Sequence, residues 1–438
     1  MRGKHVNRGN VLSPDVLRKI DEHINSFPKY STHYTKMPIT YLDATLTVRK
    51  MHDMFLEKHE DLKNIVKYEY FLKYFRDNFG YRFGRPQVDV CSTCEELQTK
   101  IKSKTLNDNA KRTAAAEFVV HKRRAKKFFS KLQEVKELSK AKPEVMGIVF
   151  DFMQNLPLPH LPVQEMFYLR KLWYYVFKIF DLKNDTAVFY NYPEGIANKG
   201  PDEVASFILN YVENFIPNTV TELHVFSDAC GGQNRNHTLC RVLTALTMNN
   251  RFKIIHQYFP IRGHSFMPCD RTFAVIKRAV RRHDRIYSPD QYKDIIESAK
   301  KEVPTYKVIE VKNEDILDCK NWWPEFFTKL PKSLESKTPF SISKCRHFTV
   351  DSERKGYLKT SEFIDAVVHM TFKLNKPNIV DVPLPTNRVY NGKVPIKEQK
   401  LQDLGKLIKY IPHDFLTFYE ERRTWPTGAV DDDANEHE

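Results

Sequence analysis

Two acidic residues that closely follow short apolar runs constrain the fold of this chain more than any other feature. The run 145–150 (VMGIVF) is followed by Asp151, and the run 223–226 (LHVF) is followed, after one serine, by Asp228. Apolar runs of this length predict short buried strands. A carboxylate at the carboxyl end of such a strand, beside a glycine turn, lies where open α/β sheets bind their ligands. The alternative for Asp228 is that it caps the helix that follows.

A third acidic residue, Asp270, is predicted in the first turn of a helix that follows another strand. The run 254–260 predicts that strand, and apolar residues recur at helical spacing over 273–280. Two Mg²⁺ or Mn²⁺ ions about 4 Å apart need oxygen ligands from several rigid elements, with one carboxylate bridging them. The sequence therefore predicts a two-metal phosphoryl-transfer site, in which Asp151 bridges the ions while Asp228 and Asp270 each hold one.

The order of the elements around these acids predicts the sheet topology. Segments 171–180 and 186–190 are rich in β-forming residues and predict a hairpin, and 201–215 has apolar residues at helical spacing. The order from the Asp151 strand onward is strand, strand, strand, helix, strand, helix, strand, helix. This is the ribonuclease H-like order, in which the first and fourth strands are neighbours, so Asp151 and Asp228 should lie close together. We therefore predict an α/β fold with a ribonuclease H-like mixed sheet core.

The chain is strongly basic, which favours a polyanionic partner. Its formal net charge is +15 and its pI is about 9.2. Nucleic acid is the simplest such partner, and the alternative is a generally basic protein. No apolar run approaches the roughly 20 residues that span a bilayer, so neither a membrane segment nor a secretory signal is expected. The seven scattered cysteines do not resemble a disulfide framework and predict a reducing compartment.

A CxxC motif, Cys91 and Cys94, opens a predicted helix and indicates a metal site. A break at 105–109 separates this helix from a longer one that carries His121. If the two helices fold back antiparallel, His121 comes to lie beside the cysteines. Thiolates and imidazole suit Zn²⁺, and a structural site needs four ligands, so one is missing. The candidates for it are His33, His52 and His59. The alternative is two free core cysteines and a histidine on a helix face.

The regions on either side of the core differ from it in composition. The predicted division is a helical, basic, zinc-pinned region at 1–140, the catalytic core at 144–300, a C-terminal α+β extension at 301–426 and a disordered acidic tail at 427–438.

Three long motifs carry a resemblance to a known family. They are 151–155 (DFMQN), 227–236 (SDACGGQNRN) and 263–271 (GHSFMPCDR), with flanking matches at 2–5, 31–34, 89–94 and 390–412. The chain resembles, over nearly its whole length, an uncharacterised family of transposase-derived proteins found in many animal genomes. This family is similar to cut-and-paste transposases of the DDE/DDD kind, which implies Asp151, Asp228 and Asp270 as the metal-binding carboxylates. Members often carry a glutamate further along the third helix, where this chain has Lys277.

Basic and polar side chains near the acids are the expected DNA contacts. Several basic residues on the helix after Asp270 fall on the same face as the acid and could bind phosphates, although a solvated basic face is the alternative. The predicted nucleic-acid contacts are Gln233, Asn234, Arg235, His264, Lys277, Arg278, Arg281 and Arg282. For Gln233 and His264 the alternative is a core or supporting position.

The sequence thus predicts a nuclear enzyme that cuts and joins DNA phosphodiesters with two Mg²⁺ or Mn²⁺ ions and carries a structural Zn²⁺. An active transposase of this kind would be a homo-oligomer. Two alternatives remain: a domesticated, inactive protein that binds DNA or chromatin, and a standalone ribonuclease H-like nuclease.

Overall fold

The computed structural model describes residues 12–27, 29–31, 40–43, 46–83, 91–300 and 306–428. The chain forms two units, Met1–Asp89 and Val90–Glu438. Most of the predicted tail at 427–438 lies outside the described residues. None of the helices in the described ranges is long and apolar enough to cross a membrane.

The first unit packs helices around an apolar core. Its elements are α1 (Pro14–Ser26), β1 (Tyr30–Ser31), β2 (Thr40–Leu42), α2 (Val48–Lys58), a 3-10 turn (Glu60–Leu62), α3 (Tyr68–Asn78) and β3 (Arg82–Phe83). Helix α1 starts with Pro14 in its first turn, and the Ser13 side chain accepts a hydrogen bond from the Val16 N–H at 3.4 Å, as expected of a capped helix start. Its buried Ile20 and Ile24 belong to the core of this unit.

The second unit contains a mixed sheet and the remaining helices. Its strands are β4 (Val145–Phe152), β5 (Leu156–Leu158), β6 (Leu172–Asp181), β7 (Thr186–Pro193), β8 (Glu222–Phe226), β9 (Ile254–Tyr258), β10 (Lys307–Glu310), β11 (His347–Asp351), β12 (Tyr357–Ser361) and β13 (Met370–Lys373). Its helices are α4 (Ser92–Lys102), α5 (Asp108–Ala141), α6 (Pro201–Phe215), α7 (His237–Met248), α8 (Pro268–Val280), α9 (Pro289–Ser298), α10 (Cys319–Phe326), α11 (Glu398–Leu407) and α12 (Leu416–Arg423). The short 3-10 turns are Gln164–Phe167, Asn313–Asp315, Ile342–Lys344, Ile408–Tyr410 and His413–Phe415.

Ten strands of the described residues form one mixed sheet, which confirms the predicted α/β class. Their order is β10-β7-β6-β4-β8-β9-β11-β12-β13, and β5 pairs with β6. Strands β4, β8 and β9 are parallel, whereas β6 runs antiparallel to β4 and β7 antiparallel to β6. The predicted hairpin is therefore β6 and β7, and β4 and β8, which are the first and fourth strands of the predicted series, are neighbours.

Both faces of the central strands are covered. Buried residues of α6, α7 and α10 pack on one face, and those of α5, α8 and α9 pack on the other. Strands covered on both faces read as continuous apolar runs, which is why 145–150 lacks an alternating pattern. Helix α5 approaches β4 closely at Gly147, where a Cβ atom would lie 2.6 Å from Cγ1 of Val135. The helices α4 and α5 thus belong to the sheet unit, whereas the sequence grouped them with the N-terminal helices.

Candidate functional site

Asp151 and Asp228 lie beside each other at the carboxyl edge of the sheet. Strands β4 and β8 are parallel neighbours, with Val149 opposite Phe226. Asp151 and Asp228 each come two residues after these partners, so the strand register brings the two carboxylates to about the same level. Both side chains keep part of their surface exposed. The structure therefore has the acids of the first and fourth strands at one solvent-accessible edge.

Asp270 reaches the same edge from the start of α8. The Cys269 thiol lies 3.5 Å from the Val149 carbonyl oxygen, which fixes the first turn of α8 against β4. The Asp270 carboxylate accepts a hydrogen bond from the Met267 N–H at 2.7 Å and so also caps its own helix. A carboxylate has about four acceptor sites, so this bond leaves capacity for a ligand.

The three carboxylates act on one another electrostatically. Burial raises the pKa of Asp151 well above its usual value, and the charges of Asp228 and Asp270 raise it further. Burial likewise raises the pKa of Asp270, with a smaller contribution from Asp228. Acids whose ionised forms repel one another in this way favour a bound cation, because a divalent ion replaces repulsion with attraction.

The oxygens of these three acids are spread out. Among the described residues, the groups whose ligand atoms all lie within 4.8 Å of one another do not include the aspartates. A single ion needs all its ligands at one point, whereas two ions about 4 Å apart distribute them over a wider space. The three carboxylates thus lie at one edge of the sheet without converging on a single point.

Asp228 is held by its own loop and does not cap the next helix. The Asn234 side-chain amide donates to its carboxylate at 2.5 Å, and the Cys230 N–H donates at 3.1 Å. The cap of α7 is instead Asn236, whose side chain accepts from the Leu239 N–H at 2.9 Å. The alternative that Asp228 caps the following helix is therefore wrong. The polar residues that follow Asp228 instead orient its carboxylate at the sheet edge.

A buried lysine that the sequence analysis passed over stands next to the acids. Lys178 lies on β6 directly opposite Asp151, and its ammonium group donates to the Thr272 hydroxyl on α8. It is fully buried, and burial lowers its pKa to about 8, although Cys269 and Asp270 oppose this shift. The signal that could have revealed it is a single charged residue inside the otherwise apolar run 172–180.

A second cluster, of two thiols and two imidazoles, lies within the same unit. Helices α4 and α5 fold back on each other, as predicted, and bring the Cys91 Sγ to 3.3 Å from the His121 Nε2. The Cys94 Sγ lies 3.3 Å from the His264 Nε2, and the two histidine Nε2 atoms are 3.1 Å apart. We call these four residues the thiol–imidazole cluster.

The fourth member of this cluster is His264, which the sequence analysis expected at the DNA. The candidates named for the position were different: His33 lies outside the described residues, and the His52 Nε2 lies 2.9 Å from the Val66 carbonyl oxygen. His59 ends α2 and its ring contacts Phe55. His264 is buried with 6% of its surface exposed, so it faces the thiols and not solvent.

Gly263 allows His264 to reach the thiols. Its φ of +76° lies in the left-handed region, and a Cβ atom there would stand 2.6 Å from the Cα of Cys91. The loop between β9 and α8 therefore touches the start of α4 through a position that only glycine fits. This loop also leads directly into Asp270.

The donor set and spacing of the thiol–imidazole cluster fit zinc. In a tetrahedral zinc site two nitrogens lie about 3.3 Å apart, and a nitrogen and a sulfur about 3.6 Å apart. All four ligand atoms lie within 4.8 Å of one another. Burial and the neighbouring Cys91 raise the pKa of Cys94 to about 11, and metal binding would displace its proton.

A third group of possible ligands, Glu222, His224 and His256, is built differently. The rings of His224 and His256 stack at 4.8 Å with their planes 17° apart. Their in-plane lone pairs therefore run side by side instead of converging on one ion. Burial lowers the pKa of His256 to about 2, so this ring is neutral. The three side chains form a hydrogen-bonded and stacked part of the sheet surface under α5.

The polar residues that follow Asp228 are less available to DNA than predicted. Gln233 and Asn234 have exposed fractions of 7% and 0%. Asn234 supports Asp228, as described above. Arg235 is partly exposed, and its pKa is lowered by burial and by the charge of Arg346, whereas Asp228 opposes this shift. Of these three predicted contacts, Arg235 alone keeps a side chain that solvent can reach.

The basic side chains of α8 and the turn after it lie on an accessible surface, which is compatible both with the predicted phosphate contacts and with a solvated basic face. Arg278, Arg281 and Arg282 are exposed. Lys277 is partly buried and donates a hydrogen bond to the Gln154 side chain at 2.7 Å. This contact ties α8 to the segment just after Asp151. Lys277 is thus a cation close to the acid edge.

One comparison with known proteins gave a match. A family model described as a domain of unknown function (DUF7869) matches residues 197–358. This span includes Asp228, His264 and Asp270, but neither Asp151 nor the ligands on α4 and α5. No curated protein and no solved structure matched the chain.

Proposed function

We propose that this chain is a DDD-type, transposase-like enzyme that cuts and joins DNA phosphodiesters on a ribonuclease H-like core. The sheet order β7-β6-β4-β8-β9 corresponds to the order 3-2-1-4-5 of that topology. The observation that carries the proposal is the strand register that sets Asp151 beside Asp228, with Asp270 within electrostatic reach of both.

The carboxylates are the metal ligands in this proposal. Asp151, whose pKa is raised by burial and by the charges of both other acids, would hold the metal ions together with Asp228 and Asp270. When bound, two Mg²⁺ or Mn²⁺ ions would activate the attacking water or 3′-hydroxyl and stabilise the leaving oxygen. Asn234 fixes the orientation of Asp228, and the exposed arginines of α8 and its following turn hold DNA phosphates without reading sequence.

The thiol–imidazole cluster is proposed as a structural zinc site. Its four protein ligands would fill a tetrahedral coordination shell, so no position remains for a substrate. The site would fasten the loop before Asp270 to α4 and α5. Its role is therefore to hold the third acid in place.

A second candidate function is DNA or chromatin binding without cleavage, in the nucleus. The observation that favours it is Lys277, a cation hydrogen-bonded to Gln154 where an additional acid would otherwise serve the metal site. In this case the basic surface would still bind DNA, but the three aspartates would no longer catalyse cleavage.

A cleavage assay on the full chain separates these functions. Supercoiled plasmid and a 3′-hydroxyl donor oligonucleotide are incubated with the wild type, Asp228→Asn and the exposed control Asp284→Asn, in Mg²⁺ or Mn²⁺. The proposal expects nicks and joined products from the wild type and the control but not from Asp228→Asn. DNA binding without cleavage by all three proteins would support the binding function instead. Nicks without joined products would indicate a standalone nuclease.

A further inference from the structure

A cationic pocket that the proposed mechanism does not use opens at the carboxyl end of β9. It has a volume of about 230 Å³. Its walls include Arg123, Arg124 and Lys127 of α5 together with Arg346, and its floor is formed by the apolar side chains of Phe259 and Ile364. All of these residues belong to the sheet unit.

Most of the positive charge in this pocket is not neutralised by the protein. Within the described residues, Arg123, Arg124 and Arg346 make no ion pair, and the Nε of Arg346 is buried without a hydrogen-bond partner. Lys127 does have a partner, since its ammonium lies 3.3 Å from an Asp365 carboxylate oxygen. A buried guanidinium nitrogen that lacks an acceptor is costly, and an anionic ligand would satisfy it.

The apolar floor argues for more than a bare anion. Phe259 and Ile364 are buried at the base of the pocket, with exposed fractions of 0% and 8%. The Arg124 guanidinium lies over the Phe363 ring, 3.9 Å from its centroid, so its plane can serve as a stacking surface. The lining also includes the apolar side chains of Phe128 and Ile261. Guanidinium planes and apolar side chains of this kind suit the flat face of a nucleobase.

The pocket is connected to the acid edge through one residue. The Arg235 guanidinium lies 5.8 Å from the centroid of Phe259, and Arg235 directly follows the Asn234 that holds Asp228. Strand β9, which ends next to the pocket, is the parallel neighbour of the Asp228 strand. A DNA strand whose phosphodiester lies at the aspartates could therefore place a neighbouring nucleotide here.

We propose that this pocket binds one unpaired nucleotide of the DNA strand that the aspartates act on. The phosphate contacts Arg346 and Arg123, and the base enters beside Arg124 over the apolar floor. The inference rests on the proposed function for its substrate, but it concerns binding and not cleavage.

The test is a binding measurement that needs no turnover. A fluorescent oligothymidylate of about eight nucleotides is titrated with the full chain in Ca²⁺, which keeps the acid edge occupied. Arg124→Ala and Arg346→Ala are each expected to weaken binding at least about tenfold. The matched control is Arg354→Ala, because Arg354 also stacks on an aromatic ring, Tyr357, but at the opposite end of the β11–β12 hairpin. Unchanged affinity in both pocket variants would overturn the inference.

Competition and cross-linking identify the ligand. Thymidine monophosphate should compete with the oligonucleotide, and inorganic phosphate should compete much less; equal competition would reduce the pocket to an anion site and contradict the base contact. On the wild type, an oligonucleotide with 5-iodouracil should cross-link to a peptide that contains Phe363, and this measurement tests the base contact even if a variant fails to fold. Cross-links found only outside the pocket would refute the proposed nucleotide site.

The outcomes distinguish this inference from the proposed function. If the pocket binds but no variant cleaves DNA, the enzyme proposal fails and the nucleotide site stands. If the wild type cleaves DNA but neither Arg124→Ala nor Arg346→Ala weakens oligonucleotide binding, the enzyme proposal stands and the nucleotide site is refuted.

Discussion

The two candidate metal sites of the sheet unit are built in opposite ways. In the thiol–imidazole cluster, four ligand atoms converge to within 4.8 Å before any ion is considered. Burial raises the pKa of its Cys94 thiol and lowers the pKa of its His121 imidazole, so these two side chains are neutral before a metal binds. At the three aspartates, burial and the charges of Asp228 and Asp270 instead raise the pKa of Asp151. The first site is closed and suits structural zinc, and the second is open and suits ions that share their coordination with a substrate.

The two sites are linked by the loop between β9 and α8. His264 belongs to the thiol–imidazole cluster, and Asp270 follows six residues later in the first turn of α8. Whatever anchors His264 therefore limits the freedom of Asp270. The comparison predicts that damage to the closed site affects the open one, and that the reverse effect is small.

The largest expected effect is from loss of a thiol–imidazole ligand. In His264→Ala, we expect zinc to be lost from the purified protein and the free energy of unfolding to fall by about 3 kcal/mol or more, because structural zinc binding contributes directly to folding. Metal content by mass spectrometry and denaturant unfolding measure these two quantities. His283 is exposed, so His283→Ala is the control and should keep the zinc content and the unfolding free energy of the wild type. A wild-type protein without zinc, or His264→Ala with a full complement, would contradict the assignment.

The two clusters also differ in how far the sequence could predict them. Cys91, Cys94 and His121 were found because helix periodicity and one break in the chain define how α4 meets α5. His264 lies 143 residues from His121, and no local spacing relates two such positions. The proximity of Asp151 and Asp228 was easier to predict, because the order of strands and helices constrains which strands are neighbours. The roles of Lys178 and Asn234 depend on packing between elements, which a pattern in one element does not reveal.

The next effect tests how tightly the closed site fixes the loop. Gly263→Ala adds a Cβ atom 2.6 Å from the Cα of Cys91 at a φ of +76°. We expect a loss of about 2 kcal/mol in unfolding free energy and weaker zinc retention during chelator titration. Gly231→Ala is the matched control, because no atom lies within 4 Å of a Cβ built there. Equal stability of the two variants would mean that the loop moves away from α4 at little cost.

A smaller effect is expected at the open site from Asn234→Ala. The substitution removes the side-chain amide that donates to Asp228 at 2.5 Å. Outer partners of this kind orient metal ligands, so Mn²⁺ affinity measured by calorimetry should fall by at least about tenfold while zinc content stays constant. Asn214→Ala, at an exposed position on α6, should leave affinity unchanged. An unaltered Mn²⁺ affinity in Asn234→Ala would show that the backbone alone positions Asp228.

The smallest effect concerns the repulsion among the acids and has a defined dependence on pH. The folded-state pKa of Asp151 is raised above its unfolded value, so the folded state binds its proton more tightly. The resulting stabilisation is complete below the unfolded pKa, near 4, and is lost as pH rises through the folded pKa. At neutral pH without divalent ions, Asp151→Asn should therefore be more stable than the wild type by about 1 kcal/mol, and the difference should shrink toward pH 4. Adding Mg²⁺ or Mn²⁺ should raise the melting temperature of the wild type but not of the variant, because only the wild type relieves repulsion by binding the ions. If the variant is instead less stable at neutral pH and both proteins respond equally to Mn²⁺, Asp151 is a packing residue and the open site is not a metal site.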